Sequence, residues 1–285
     1  MSRILVTGAA GQLGRELVLL ARAQGHAVGG LGRHEADPCD VTDRDAVRRH
    51  VESFGPDLIV HAAAWTAVDA CESDPQRAHD VNAGGTRNVG DAADGVGAHV
   101  VYLSTDYVFD GRRSEPYVET DPTSPASVYG ASKLAGEVAL EARHTIARTS
   151  WVCGAHGPNM VKTILAVAGR QPELRFVDDQ IGHPTFTADL APMLLELGTA
   201  RTAGTFHVTN AEAVSWHGFA RAVLEAAGLD PDRVVPISTA ELDPPRPAPR
   251  PANSVLDNAA LRAAGLGPLR SFRQPLAELV AQLQR

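Results

Sequence analysis

Cysteine is scarce in this 285-residue chain: the three present, Cys39, Cys71 and Cys153, are odd in number, far apart and form no C-x-x-C pair. That argues against a disulfide framework and a zinc site, and leaves them as small packing residues. Basic residues are in deficit too, 26 Lys and Arg against 34 Asp and Glu, for a formal net charge of -8. The sign is wrong for a general binder of phosphate backbones, so nucleic acid is not an expected partner. No apolar run approaches the ~20 residues that a membrane span needs. The opening Met1-Ser2-Arg3-Ile4-Leu5-Val6-Thr7-Gly8 reaches glycine too soon for a signal-peptide core. A cytoplasmic protein with no membrane partner is expected. Aromatic residues are only 5% of the chain, but 44% is apolar, enough for a sizeable core in one or two domains. Internal repeats are missing, and the one biased segment is the Pro-Pro-Arg-Pro-Ala-Pro-Arg-Pro run at 244–251. On composition alone it is an extended connector or a partner motif.

What is present is a rhythm. Short apolar runs at 4–7, 27–31, 58–61, 100–104 and 145–148 alternate with helical patterns such as Leu13, Leu17, Leu20 and Ala21, or Val128, Ala131, Ser132, Ala135 and Ala139. Repeated βα units build a parallel sheet, and right-handed crossovers make it doubly wound. After about residue 150 the rhythm loosens, with helical stretches at 187–197, 216–227 and 273–284 and short strands at 175–177 and 206–208. The expected organisation is a dinucleotide-binding domain at 1–150 and a smaller substrate-binding lobe at 151–285, with about 205–235 returning to the first domain.

Thr7-Gly8-Ala9-Ala10-Gly11-Gln12-Leu13-Gly14 lies between the first strand and the first helix, a G-x-x-G-x-x-G pattern. Glycine permits a tight turn and close approach of backbone N–H groups to a pyrophosphate, whose charge suits the helix N-terminus. A plain structural turn would use the same residues, but the strand-before, helix-after setting favours a Rossmann-type dinucleotide site. At the end of the second strand stands Leu31-Gly32-Arg33-His34, with no carboxylate before the arginine. Arg33 tilts the choice towards NADP over NAD, unless it is only a surface charge. Asp40-Val41 stands where a carboxylate meets the adenine amino group, or is an exposed turn.

Tyr129-Gly130-Ala131-Ser132-Lys133 sets a phenol and an ammonium four residues apart, on one face of a helix. A nearby cation is expected to pull the phenol down from its ordinary value of about 10, making a general acid for a carbonyl that receives hydride. Ser104-Thr105-Asp106 ends the fourth strand, where open α/β sheets bind ligands, and Thr105 can donate to the carbonyl oxygen or merely cap a turn.

These residues resemble the extended short-chain dehydrogenase/reductase superfamily, and within it the dTDP-4-dehydrorhamnose reductase family. The closer likeness rests on residues 7–14, Ala62-Ala63-Ala64-Trp65-Thr66-Ala67-Val68-Asp69, Val81-Asn82-Ala83, Ser104-Thr105-Asp106-Tyr107-Val108-Phe109-Asp110-Gly111 and Arg148-Thr149-Ser150-Trp151. It extends to Asp179-Gln180-Ile181-Gly182-His183-Pro184-Thr185 and Arg250-Pro251-Ala252-Asn253-Ser254-Val255-Leu256-Asp257, and so to nearly the whole chain. The resemblance implies NAD(P)H-dependent reduction of the 4-keto group of dTDP-4-dehydro-6-deoxy-L-mannose to dTDP-L-rhamnose. It implies that Gly11, Gln12 and Leu13 cradle cofactor phosphates, Asp40 and Val41 flank adenine, and Ala62, Ala63 and Ala64 line the nicotinamide side. Tyr129 would be the proton donor, Lys133 the ribose anchor, and Thr105 the group orienting the keto oxygen. Asp106, Tyr107 and Trp151 would face the sugar. The proline-rich run would be a rigid loop carrying Arg250, Asn253 and Ser254 to the nucleotide diphosphate.

Cys153 and Trp65 stand where the family usually has tyrosine, and His61 where asparagine is common. Glu16 matches a first-helix acid through which some members bridge a metal-bound homodimer, or is a solvated helix charge, so Mg2+ and dimerisation stay open. His61, His183 and His207 have no metal-ligand spacing. The alternatives are a reductase of another dTDP-4-keto-6-deoxysugar and a non-catalytic NADP-binding subunit like the beta subunit of methionine adenosyltransferase. The complete Thr105, Tyr129 and Lys133 set favours catalysis.

Overall fold

A computed structural model describes residues 1–33 and 38–285; His34, beside Arg33 in the sequence, lies outside the described residues. The chain runs β1 (Arg3–Thr7), α1 (Gln12–Ala23), β2 (Ala27–Leu31), α2 (Arg44–Phe54), β3 (Leu58–His61), α3 (Val68–Ser73), α4 (Pro75–His79), a π-helical turn (Asp80–Gly84) and α5 (Gly85–Val96). It continues through β4 (His99–Thr105), α6 (Val128–Val138), β5 (Thr145–Thr149), β6 (Val152–Cys153), α7 (Met160–Ala168), β7 (Leu174–Val177), β8 (Ile181–Gly182) and β9 (Thr185–Phe186). The remainder is α8 (Thr187–Thr199), β10 (Gly204–His207), β11 (Val214–Ser215), α9 (Trp216–Ala226), β12 (Val234–Ile237), α10 (Ala259–Ala263) and α11 (Arg273–Leu283).

Six strands form one parallel sheet in the order β10-β5-β4-β3-β1-β2, the doubly wound architecture that the βα rhythm predicts. Successive strand residues face opposite sides, and here both sides are covered by helices. Ile4 and Val6 of β1 join Leu17 of α1 and Leu190, Leu194 and Leu197 of α8 in one core. Leu5 and Ile59 point the other way, into Val47 and Val51 of α2 and Val89 and Ala93 of α5. Since β1 pairs with β2 on one side and β3 on the other, the strand order reverses there. A crevice therefore opens beyond Thr7 and His61, at the carboxyl ends of the strands.

Beyond residue 150 chain order and packing part company. α8 lies in the core beside α1, and β10 extends the sheet beside β5. By contrast α9 joins α7 and α11 in a separate core of Val161, Ile164, Phe219, Val223, Leu276 and Val280, next to the β7–β12 pair. Within the 205–235 segment, therefore, the strand returns to the large sheet and the helix stays with the second core. Among the described residues, no helix is long and apolar enough to cross a membrane.

Candidate active site

The glycine-rich turn builds the floor of a cleft. Gly8 has φ +66°, and a Cβ there would fall 2.9 Å from the Ala63 nitrogen, so glycine is required both by conformation and by space. The Gly11 N–H donates to Gly8 O at 2.8 Å, and α1 starts at the next residue. First-turn N–H groups lack intrahelical acceptors and make an anion site. The cleft, about 290 Å³, is lined by Gly8, Gly11, Arg33, Asp40, Val41, Ala62, Ala63 and Ala64, which the structure brings together. Gln12 and Leu13 send their side chains elsewhere. Leu13 is buried in the sheet core; the Gln12 amide donates to Val152 O at 3.0 Å and accepts from Asn159 at 2.8 Å, tying α1 to the second core. Only their backbone N–H groups can serve a ligand. Thr42 donates to Asp40 Oδ1 from its backbone N–H at 3.0 Å and its hydroxyl at 2.9 Å. These bonds, with Arg33 and Arg77 nearby, hold the Asp40 carboxyl below its usual range. Trp65, Arg77 and Val81 line the same cleft, and no local sequence pattern marks Arg77.

A buried network shapes the loop after β3. Ala63 N–H donates to Thr7 Oγ1 at 3.1 Å, and Thr7 Oγ1 lies 2.6 Å from His61 Nδ1. His61 Nε2 lies 3.1 Å from Thr86 Oγ1, whose own proton goes to Asn82 O at 2.6 Å. That accounting makes Nε2 the protonated nitrogen and Nδ1 the acceptor of the Thr7 hydroxyl. Burial, with the Lys133 charge adding to it, pulls the His61 imidazole down to about 3, so it is neutral. Asn82 then accepts from Trp65 N–H at 2.8 Å and donates to Ser132 Oγ at 2.9 Å, linking this loop to α6.

The helix α6 carries the catalytic candidates. Ser127 caps it by accepting from Gly130 N–H at 3.1 Å. A Cβ on Gly130 would lie 2.1 Å from Tyr107 O, so glycine lets the helix press against the turn that follows β4. Tyr129, Lys133 and Glu137 recur every four residues along one face, and all three are buried. The Tyr129 ring meets Tyr107 edge-on at 5.5 Å. Thr105 donates to Asp106 Oδ1 at 2.9 Å and accepts from Tyr107 N–H at 3.2 Å.

The expected lowering of the phenol is overturned. Burial pushes Tyr129 well above its ordinary value; the Thr105 hydroxyl opposes this, and Asp106 and Tyr107 add to it. Lys133, whose charge acts on His61, does not offset the burial of the phenol; its Nζ donates to Leu103 O at 2.7 Å and sits 4.1 Å over the Tyr102 ring. Burial, partly offset by the Glu137 charge, leaves Lys133 itself at about 7. Glu137 is held by Arg148 through two bonds, Nε to Oε1 at 2.9 Å and Nη2 to Oε2 at 2.7 Å, with Ser104 donating at 2.5 Å. Asp106 is pushed up to about 6 by burial, moderated by Ser254 and Thr105. Its Oδ2 has no hydrogen-bond partner among the described residues.

A second cavity, about 350 Å³, opens beside this point and is lined by Tyr107, Met160, Arg175, Phe176, Gln180, Trp216, Leu242, Arg246 and Arg250. Trp151, at φ +46°, stacks on Trp216 with centroids 3.6 Å apart. The proline-rich segment forms a strap over this cavity, anchored on Asp69. Arg250 donates to both Asp69 oxygens, at 2.5 and 2.8 Å, and Ala248 N–H donates to Oδ1 at 3.1 Å. Arg246 stands 3.8 Å from the same carboxylate. The arginine singled out in the sequence is therefore already paired, and Arg246 and Arg175 are the more exposed guanidiniums of the cavity. Asn253 does not line it: its amide donates to Arg113 O at 2.8 Å and its Oδ1 accepts from Val255 N–H at 3.0 Å. Ser254 is buried beside Asp106, its N–H donating to Ile181 O at 2.8 Å.

Glu16 lines neither cavity; it lies in a separate groove with His156, Glu278 and Gln282. Glu278 is committed to Arg270 through two bonds of 2.6 Å. Among the described residues, no three His, Cys, Asp or Glu side chains are grouped to hold a metal ion.

The family model described as RmlD substrate binding domain matches residues 1–285. A dTDP-4-dehydrorhamnose reductase of Streptomyces griseus is 46% identical over 285 residues, spanning 97% of this chain and 92% of that protein. The crystal structure of a dTDP-4-dehydrorhamnose reductase from Clostridium acetobutylicum superposes with TM-score 0.94 at 38% identity, covering 99% of this chain and 100% of that one. That of the Bacillus anthracis enzyme in complex with NADP gives TM-score 0.93 at 37% identity, with 99% of each chain covered.

Proposed function

The chain belongs to the RmlD substrate binding domain family, that of the dTDP-4-dehydrorhamnose reductases, and from that premise we propose how its own residues reduce dTDP-4-dehydro-6-deoxy-L-mannose to dTDP-L-rhamnose. The observation that carries the reading is the placement of Tyr129. It is buried and protonated next to Thr105, in a packed cluster with Trp65, which lines the dinucleotide cleft, and Tyr107, which lines the second cavity. A glycine turn that no Cβ could enter, first-turn N–H groups and Arg33 fit NADP(H) in the cleft. When bound, NADPH supplies hydride to the C4 carbonyl carbon. Thr105 hydroxyl orients the keto oxygen, and Tyr129 gives that oxygen its proton, so carbonyl becomes alcohol. A phenol held high keeps its proton at neutral pH, which is the state a reductase needs at the start of each turnover. Lys133, whose Nζ donates to Leu103 O in the structure, would hold the nicotinamide ribose, and Asp106 Oδ2, buried and unpartnered among the described residues, would accept a sugar hydroxyl. The aromatic pair Trp151 and Trp216 walls the sugar side, and Arg246 and Arg175 offer the diphosphate charge.

The test is NADPH oxidation with enzymatically prepared dTDP-4-dehydro-6-deoxy-L-mannose, the product identified as dTDP-L-rhamnose, across a pH series. Turnover is expected, with kcat/KM falling on the acid side around pH 6, because the Asp106 carboxyl takes up a proton there and stops accepting. Asp106→Asn is expected to remove that limb. Folded protein that binds NADPH but turns over only other 4-ketosugars would overturn the assignment of substrate.

A separate expectation concerns the strap. Asp69→Asn removes the charge that holds Arg250, a charge-assisted bond worth about 1.5–3 kcal/mol. KM for the dTDP-sugar is expected to rise about tenfold or more, while NADPH affinity and kcat stay near those of the native chain. A loss confined to kcat would show that the strap does not serve substrate binding.

A further inference from the structure

Arg77 is absorbed neither by the catalytic machinery nor by the fold. It lies on the short α4, is exposed, and its guanidinium sits 4.5 Å over the ring of Trp65. Trp65 is itself fixed by its backbone N–H to Asn82 and by packing against the Cys71, Ala78 and Tyr129 cluster. Arg33, Asp40 and Arg77 all line the dinucleotide cleft and also the open basin of about 600 Å³ that continues it to solvent. The Asp40 carboxylate feels both guanidiniums, so the three groups share one mouth. Asp40 Oδ1 is occupied by Thr42, and among the described residues neither arginine has a carboxylate at ion-pair distance. The described lining of the cleft itself carries two guanidiniums against one carboxylate; the basin outside it adds Asp74, which accepts the Arg77 backbone N–H, and Asp80, which accepts from the Gln76 amide. Stacking on an anchored indole limits the rotamers of Arg77 and presents the planar edge of its guanidinium, the geometry that suits phosphate oxygens.

We propose that Arg77 is the second arginine of a clamp for the 2′-phosphate of the dinucleotide, and that Arg33 and Arg77 together set the preference for NADPH over NADH. The inference rests on the reading that this cleft binds a nicotinamide dinucleotide. A phosphate monoester carries about -1.5 to -2 charges at neutral pH, which matches two guanidiniums better than one. The ribose hydroxyl of NADH has no charge to offer them, so only one of the two cofactors gains from the pair.

Calorimetric titration of the full chain with 2′,5′-ADP and with 5′-ADP separates the phosphate from the rest of the nucleotide without any turnover. Arg77→Met is expected to weaken 2′,5′-ADP about tenfold or more and to leave 5′-ADP within about twofold. Arg33→Met should act likewise, and Arg77→Lys should recover part of the loss, because lysine keeps the charge but not the fork. Equal weakening of both ligands by Arg77→Met would mean that Arg77 supports adenine or the Trp65 loop, and no change in either would mean that it faces only solvent. Both results overturn the clamp. Failure of the native chain to bind either nucleotide would instead overturn the dinucleotide reading itself.

Discussion

Tyr129→Phe is expected to cut kcat by about a hundredfold to ten-thousandfold, the usual contribution of a positioned acid, while NADPH binds as it does to the native chain. The ring stays and only the hydroxyl goes, so the edge-on contact with Tyr107 and the packing of α6 against the turn after β4 are preserved. What disappears is the proton source beside Thr105. Water is a poor replacement, because the phenol is buried among Thr105, Asp106, Tyr107 and Cys71. Steady-state NADPH oxidation gives kcat, and quenching or transfer of NADPH fluorescence gives the affinity. Turnover within a few-fold of native would remove Tyr129 from the mechanism and point to another donor; loss of NADPH binding would mean that the hydroxyl serves the cofactor rather than the substrate.

Glu137→Ala is expected to cost about 3–5 kcal/mol of stability, since it leaves the buried Arg148 guanidinium without its partner. Arg148 and Glu137 side chains are only 7% and 5% exposed, so solvent cannot make up the loss. Ser104 would lose its acceptor as well. Equilibrium urea unfolding measures the effect, and a change below about 1 kcal/mol, the range of an exposed pair, would refute the buried-pair account. The isosteric Glu137→Gln separates fold from function. Glu137 raises Lys133, which even with that help stands at only about 7; without that negative charge the ammonium gives up its proton at lower pH. The alkaline limb of the activity profile is therefore expected to start at lower pH in Glu137→Gln. An unmoved limb in a folded variant would mean that Lys133 titration does not govern activity.

Much of the fold and part of the site were legible in the sequence because they are local. A parallel strand buried on both faces is written as a short apolar run, and the glycine turn and the Tyr129–Lys133 spacing each lie within one turn and one helix. Glu137 was within reach of the same logic, being one further step along the stripe that begins at Tyr129. The strap was visible as a proline-rich run, and its anchor was not: Arg250 meets an aspartate 181 residues away. Reading Arg250 as a free phosphate ligand missed that pairing, as it missed Trp216 under Trp151 and Arg77 over Trp65.

The sequence by itself determined the doubly wound sheet, the dinucleotide turn and the family of the chemistry, since periodicity and short motifs encode contacts between near neighbours. Only the tertiary structure decided the sign of the Tyr129 shift, the commitment of Lys133 to Leu103, and which arginines of the second cavity stay exposed. Those depend on burial and on charges brought together from distant segments, and neither desolvation nor a Coulomb partner is a property of spacing along the chain.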